Sequence, residues 1–373
     1  MSAIEVKFGK SFDRDARKAV AELAEQTAGI EPNALLFFCS PKYDLPTLGK
    51  AIAATFDCPA IGCTTAGEIL GCEGYIEDSI VCAAIASEKL TMKPVFIRDL
   101  RAFLKDGAPE TLHKLVEVNR RESFALLLID GLCKLEEPVA AIINQVLAGI
   151  PLIGASAGDG LDFRHAWIYH DGAFHENAAV LALFETSLPF LPIRVQHFMP
   201  TDVRLVITEA DVATRTVTEI NGVPAVEGYA EAVGISVDKL TPQVFAAYPV
   251  MLKIGGEYYV RSIQKVNPDG SLTFYCAIGI GLVLTVAQSF RTLISHLETE
   301  LAAIRRTIPH PALIFASDCI LRRLEMQQYG EIDQARQVLA PYPLIGFSTY
   351  GEQYGGVHVN HTLTALILGD GAP

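Results

Sequence analysis

The stretch AIGCTTAGE at residues 60–68 returns twice, as LIGASAGDG at 152–160 and as LIGFSTYGE at 344–352. Internal repetition constrains a fold more than any compositional figure, because each copy must then be one unit of a larger architecture. Every copy lies downstream of an apolar run that suits a buried strand: ALLFFCS (34–40), FALLLIDG (124–131) and ALIFASD (312–318). Between run and motif stands a helix-like segment: LPTLGKAIAATF, EEPVAAIINQVLAG or RRLEMQQYGEIDQARQVLA. In the second of these, Pro138 suits a first helical turn and Gly149 a stop. Each unit therefore reads as strand, helix, strand, with parallel strands and a right-handed crossover. A worn fourth copy is expected at YPVMLKIGGE (248–257).

Strand-like runs after the motifs, SIVCAAIA (79–86), NAAVLALF (177–184) and NHTLTALIL (360–368), are expected to pair beside the repeat strands. Asp171-Gly172 marks a tight hairpin, and a second hairpin turns at 267–270. Pro189, Pro192 and Pro200 interrupt regular structure over 186–200, which places a boundary there. The sequence thus predicts an α/β protein of two duplicated halves, 1–190 and 191–373, built from strand-helix-strand units with mixed sheets.

The chain has 373 residues, 50% of them hydrophobic and 20% charged, which is enough apolar material for well-filled cores. A formal net charge of −13 opposes nonspecific binding to nucleic acid or anionic lipid. The N-terminal stretch carries charges where a signal peptide would be apolar, so the expected location is the cytoplasm. Residues 271–290 lack charge, but their glycines and a preceding Asn-Pro-Asp-Gly turn favour a buried strand and a helix start over a membrane span. None of the eight cysteines forms a C-x-x-C pair, so they read as buried free thiols.

Gly154-Ala-Ser-Ala-Gly158 matches the G-x-S-x-G nucleophile elbow, and the alternative reading it offers is a serine hydrolase with Ser156 as nucleophile. The sister copies weigh against it, since they place Cys-Thr-Thr and Phe-Ser-Thr where a hydrolase needs one nucleophile. The plainer reading is that the glycines supply positive φ and the hydroxyls bond local backbone. Three small-residue turns at the carboxyl ends of parallel strands would also converge on one ligand crevice. Its expected lining is Thr64, Thr65, Ser156, Ser348 and Thr349, and no catalytic residue is assigned. Acids recur near the motif ends as Glu68, Asp159 and Glu352, either as acid-base groups or as caps of their own turns. Neither a dinucleotide fingerprint nor a P-loop is present. Among nine histidines, His358 and His361 follow the third motif directly, three residues apart, so they cannot ligate one metal from one side of a strand.

IGCTTAGEI, LIGASAGDG with the following WIYHDGAF, CILRRLE (319–325), LIGFSTYGEQY and HVNHT together resemble the FIST N and FIST C domains of bacterial sensory proteins, over nearly the whole chain. FFCSPKYDL (37–45) is most similar to the nitric-oxide-sensing (NosP) group. The resemblance implies a non-enzymatic sensor that binds haem noncovalently, detects nitric oxide and acts on a partner histidine kinase. It implies His358 as first choice of haem-iron ligand, with His361 and His197 behind it. An amino acid or similar small metabolite is the alternative ligand.

Overall fold

The computed structural model describes residues 3–290 and 292–371. The runs Ala34–Cys39, Ser123–Asp130 and Leu344–Thr349 are strands in which every residue is buried. Continuous rather than alternating hydrophobicity follows from covering both faces of a sheet. Ala34–Cys39 pairs in parallel with Ala60–Thr64 across the helix Leu45–Thr55. Ser123–Asp130 does the same with Leu152–Ala157 across Glu136–Leu147, and Pro311–Cys319 with Leu344–Thr349. In the third unit the expected single helix is two, Ile320–Tyr329 and Ile332–Leu339, because Gly330 takes φ 70° between them.

Each unit closes with a hairpin and a long antiparallel strand, and the hairpins are exchanged. Ile168–His170 of the second unit adds to the first unit's sheet beside Gly62 and Cys63. Glu352–Tyr354 of the third adds to the second's beside Gly154, and Glu68–Leu70 of the first adds to the third's beside Gly346. Three six-stranded sheets result, each completed by another unit, in a closed cycle. The α/β class with strand-helix-strand units matches the sequence reading. The strand-helix-strand unit occurs three times, and the hairpin exchange closes when the third unit receives the first. Residues 1–190 hold two units, and 191–373 hold nearly all of the third with an insertion.

One face of each sheet packs into a shared core containing Phe38, Leu126, Phe315 and Phe347, where the Phe38 and Phe347 rings lie 4.6 Å apart. The opposite faces bury separate clusters under each unit's own helices. The insertion runs from Phe198 to Ser289, has its own sheet and packs its own core around the helix Ala225–Val233. The expected fourth copy lies here. Val250–Ile254 instead turns back on Glu257–Arg261 as an antiparallel hairpin, with Gly255 and Gly256 both at positive φ. The uncharged 271–290 segment forms the strands Leu272–Phe274 and Val283–Ser289, and the helix start follows at Leu293. Among the described residues no helix is long and apolar enough to cross a membrane.

Candidate functional site

The three motif corners meet in a ring of backbone hydrogen bonds. Ala66 N donates to Ser348 O at 3.0 Å, Gly158 N to Thr64 O at 3.1 Å, and Tyr350 N to Ser156 O at 3.2 Å. These are equivalent positions of the repeat, so each unit bonds to another in the same way. Convergence of the corners is thus a property of the fold.

Their hydroxyls, however, face packing. Thr64, Ser156, Ser348 and Thr349 are fully buried, and Thr65 nearly so. Thr65 Oγ1 donates to Glu68 Oε1 at 2.5 Å and accepts from Gly67 N. Thr349 repeats this with Glu352 and Gly351 N. Thr64 Oγ1 accepts from Trp167 N, and Ser156 Oγ accepts from Gln353 Nε2 at 3.0 Å. A carboxamide cannot take a proton from Ser156, so the elbow-like sequence has no base at its hydroxyl. The hollow among the strands holds only about 10 Å³ and is lined by leucine, isoleucine and phenylalanine.

The recurring acids split into two kinds. Glu68 and Glu352 are equivalent and fully buried. Burial pushes Glu68 up to about 7 against the hydrogen bonds of Ser79 and Thr65, and pushes Glu352 up to about 8 against those of Thr349 and Thr362. Asp159 stands one residue earlier in its copy, opposite Gly67 and Gly351. It accepts N–H bonds from Phe163, Arg164 and His165, each at 2.9 Å, and the hydroxyl of Tyr350. It therefore ties the 159–165 loop to the third corner. Since folded Glu352 holds its proton more tightly than the unfolded chain does, its stabilising contribution is complete below about pH 4.5. It is lost as pH rises through about 8. Glu352→Gln should remove a slope of up to about 1.4 kcal/mol per pH unit. Urea titrations between pH 5 and 8 check this, and an unchanged slope refutes it.

Open space lies just outside the first corner. A cleft of about 290 Å³ is walled by Lys42, Glu68, Glu77 and Asp78 of the first unit, Asp159 and Asp162 of the second, and Arg323 of the third. Arg323 Nη1 donates to Ala66 O at 2.8 Å and Nη2 pairs with Glu77, while Nε has no partner. Gly67, at φ 125°, makes room for this guanidinium. Of the residues expected to line a pocket, only Thr65 reaches this cleft. Arg323 and Asp159 complete it, and the sequence signal for Arg323 was only its place inside CILRRLE.

A larger cleft of about 620 Å³ separates the insertion from the third unit, with Phe198, Tyr248, Gln288, Glu325 and Tyr329 on its walls. Behind Glu325 stand His197 and His361, both fully buried. His197 Nε2 lies 3.1 Å from Glu325 Oε1 and His361 Nε2 lies 2.8 Å from Oε2. Burial would raise the Glu325 carboxyl, but the two imidazole hydrogen bonds outweigh it and hold the group well below the carboxylate range. Burial lowers His197 to about 4 despite Glu325. His358 is elsewhere, its Nδ1 2.9 Å from Gln353 Nε2, and burial lowers it to about 3.

These residues do not fit a haem. A Cβ built on Gly351 would lie 2.6 Å from His358 Nε2, which leaves no room for iron there. His197 and His361 turn their Nε2 atoms to Glu325 rather than to open space. The larger cleft offers two carboxylates, Glu325 and Glu331, which would repel the propionates.

Comparison with known proteins agrees with the repeat pattern. The FIST N domain matches residues 33–223 and the FIST C domain residues 225–355. The chain belongs to the FIST family. FIST domains are small-ligand-sensing modules of signal transduction, and that is the class of this protein. The division between the two FIST domains falls inside the insertion, at Pro224 just before the helix Ala225–Val233, whereas the three structural units divide elsewhere. No curated protein matches the chain. A cyanuric acid hydrolase of A. caulinodans is 10% identical over 49% of this chain and 71% of its own, with a TM-score of 0.26. T. maritima PurL complexed with AMPPCP is 11% identical over 98% and 72%, with a TM-score of 0.20. Neither likeness bears on the fold or activity of this FIST protein.

Proposed function

We propose that this FIST protein is a non-enzymatic sensor of a small amino-bearing metabolite, of the amino acid class, which binds in the cleft beside the first corner. The observation that carries the reading is that this open cleft takes walls from all three units, at the ring of corners. A ligand that grips Glu77 and Asp78, Asp162 and Arg323 at once changes how the units sit against one another. Differential contacts of that kind are what a bound ligand needs to shift an equilibrium. Five acids against two bases favour a cationic amine, and Arg323 supplies donors for a carboxylate on the same ligand. A signalling partner, which the resemblance makes a histidine kinase, would read the shift.

A thermal-shift panel of free amino acids and small amines tests this. A saturable rise in Tm with an amino-bearing compound is expected, weakened in both Glu77→Gln and Arg323→Gln. Glu77 is largely exposed, so its variant leaves the fold intact. No rise with any member, or a rise untouched by both substitutions, refutes the proposal. A Soret band that moves with nitric oxide, in protein from haem-supplied cells, would put the haem reading in its place.

A further inference from the structure

The larger cleft has chemistry that the sensing proposal does not use. We infer that His197, Glu325 and His361 form a binding site for a divalent transition-metal ion of the zinc class, at the junction of the insertion and the third unit. The three donor groups lie within 4.8 Å of one another. They come from three separate places in the chain: the linker just before Phe198–Asp211, the helix Ile320–Tyr329, and the corner just before Leu363–Gly369. Two imidazoles and one carboxylate are an established donor set for a zinc ion that keeps a position open, and imidazole nitrogen suits this group of metals.

The position of His361 sharpens the argument. Its equivalents in the other two units are Asp78 and Asn177, and all three have left-handed backbone, with φ 54°, 55° and 49° for His361, Asp78 and Asn177. Asp, Asn and His are the residues other than glycine most enriched in this conformation. The side chains of Asp78 and Asn177 stay partly exposed, whereas His361 is fully buried and turned to Glu325. The backbone admits a histidine at this position, and its burial and contact with Glu325 are what set this copy apart. Glu325 keeps 15% of its side-chain surface exposed to the cleft, which gives an ion its way in and its open coordination position. A bare ion can sit between the carboxylate and the imidazoles, which a haem iron, needing Glu325 out of its path, cannot.

The test uses the full chain dialysed against chelator and then titrated with Zn²⁺ by calorimetry and with Co²⁺ by visible absorption. One equivalent of each should bind, Co²⁺ with an intense tetrahedral d–d band, and Zn²⁺ should raise Tm. His361→Asn borrows the residue that the second unit already carries at this position, and Glu325→Gln is isosteric and faces the cleft. Each should weaken Zn²⁺ binding by more than the roughly 10–100-fold that loss of an outer-shell partner costs, with circular dichroism in chelator unchanged. Zinc bound no more tightly by the native protein than by Glu325→Gln, or no d–d band at one equivalent of cobalt, overturns the inference. Because Glu77 and Arg323 lie in the other cleft, loss of metal binding and loss of metabolite binding are separate outcomes.

Discussion

Gly346→Ala should destabilise this protein by at least about 3 kcal/mol, near the upper end of what overpacking costs. A Cβ built there would lie 1.9 Å from the carbonyl oxygen of Ala316 and 2.8 Å from its carbonyl carbon. Both atoms are backbone of the neighbouring parallel strand, so no side-chain rotation relieves the clash. Gly62 meets the Phe37 carbonyl oxygen and ring at 2.6 Å, so Gly62→Ala should cost nearly as much. Gly154 meets the amide oxygen of Gln353 at 2.5 Å and its Cβ at 2.8 Å, side-chain atoms of the short exchanged strand rather than backbone of the parallel neighbour. Gly154→Ala should therefore be the mildest of the three. Chemical denaturation of the three variants checks the order. A Gly346→Ala loss below about 1 kcal/mol would show that close approach is not what this glycine provides.

That prediction corrects a sequence-level expectation. Positive φ was the expected reason for the motif glycines, yet within the motifs only Gly67 and Gly160 have it. Gly62, Gly154 and Gly346 are ordinary strand residues whose missing side chain lets a neighbouring strand come close. A sequence shows that glycine recurs but not which neighbour would strike a Cβ, because that neighbour belongs to another segment.

The same distinction separates what was legible from what was not. The buried strands could be read from Leu35–Phe38, Leu126–Ile129 and Leu313–Phe315, since covering both faces forces an unbroken apolar run. The Asp171-Gly172 turn was legible because its backbone demands are local; both residues take positive φ. The cyclic exchange of hairpins was not, since nothing in Glu68–Leu70 names Gly346 as its partner. Convergence of the corners followed from the repeat, but whether their hydroxyls face a void depends on how completely Phe38, Phe315 and Phe347 fill the axis. Likewise His197 and His361 were singled out one by one, and only the fold shows that they share Glu325. The alignment of His361 with Asp78 and Asn177 was the one signal in the sequence that could have marked it.

The buried charge at the seam between the first and third units should be the other severe weak point. Arg322 is fully buried and donates from Nε to Asp318 Oδ1 at 2.5 Å, while Tyr75, on the first unit's exchanged hairpin, donates its hydroxyl to the other Asp318 oxygen. Arg322→Leu removes what is, among the described residues, the one cation bonded to Asp318, a carboxylate that has no exposed surface. Breaking one side of such a pair costs about 3–5 kcal/mol, because the remaining charge stays buried without compensation. Adding Asp318→Asn should restore much of the loss, since replacing both members leaves Tyr75 a neutral acceptor and no stranded charge. Denaturant unfolding of both single variants and the double variant measures this as a cycle. Full additivity would mean that Asp318 and Arg322 act independently, and the exchanged hairpin would then owe its seat to its backbone pairing with Leu344–Thr349 and to the packing of Ile69 and Tyr75.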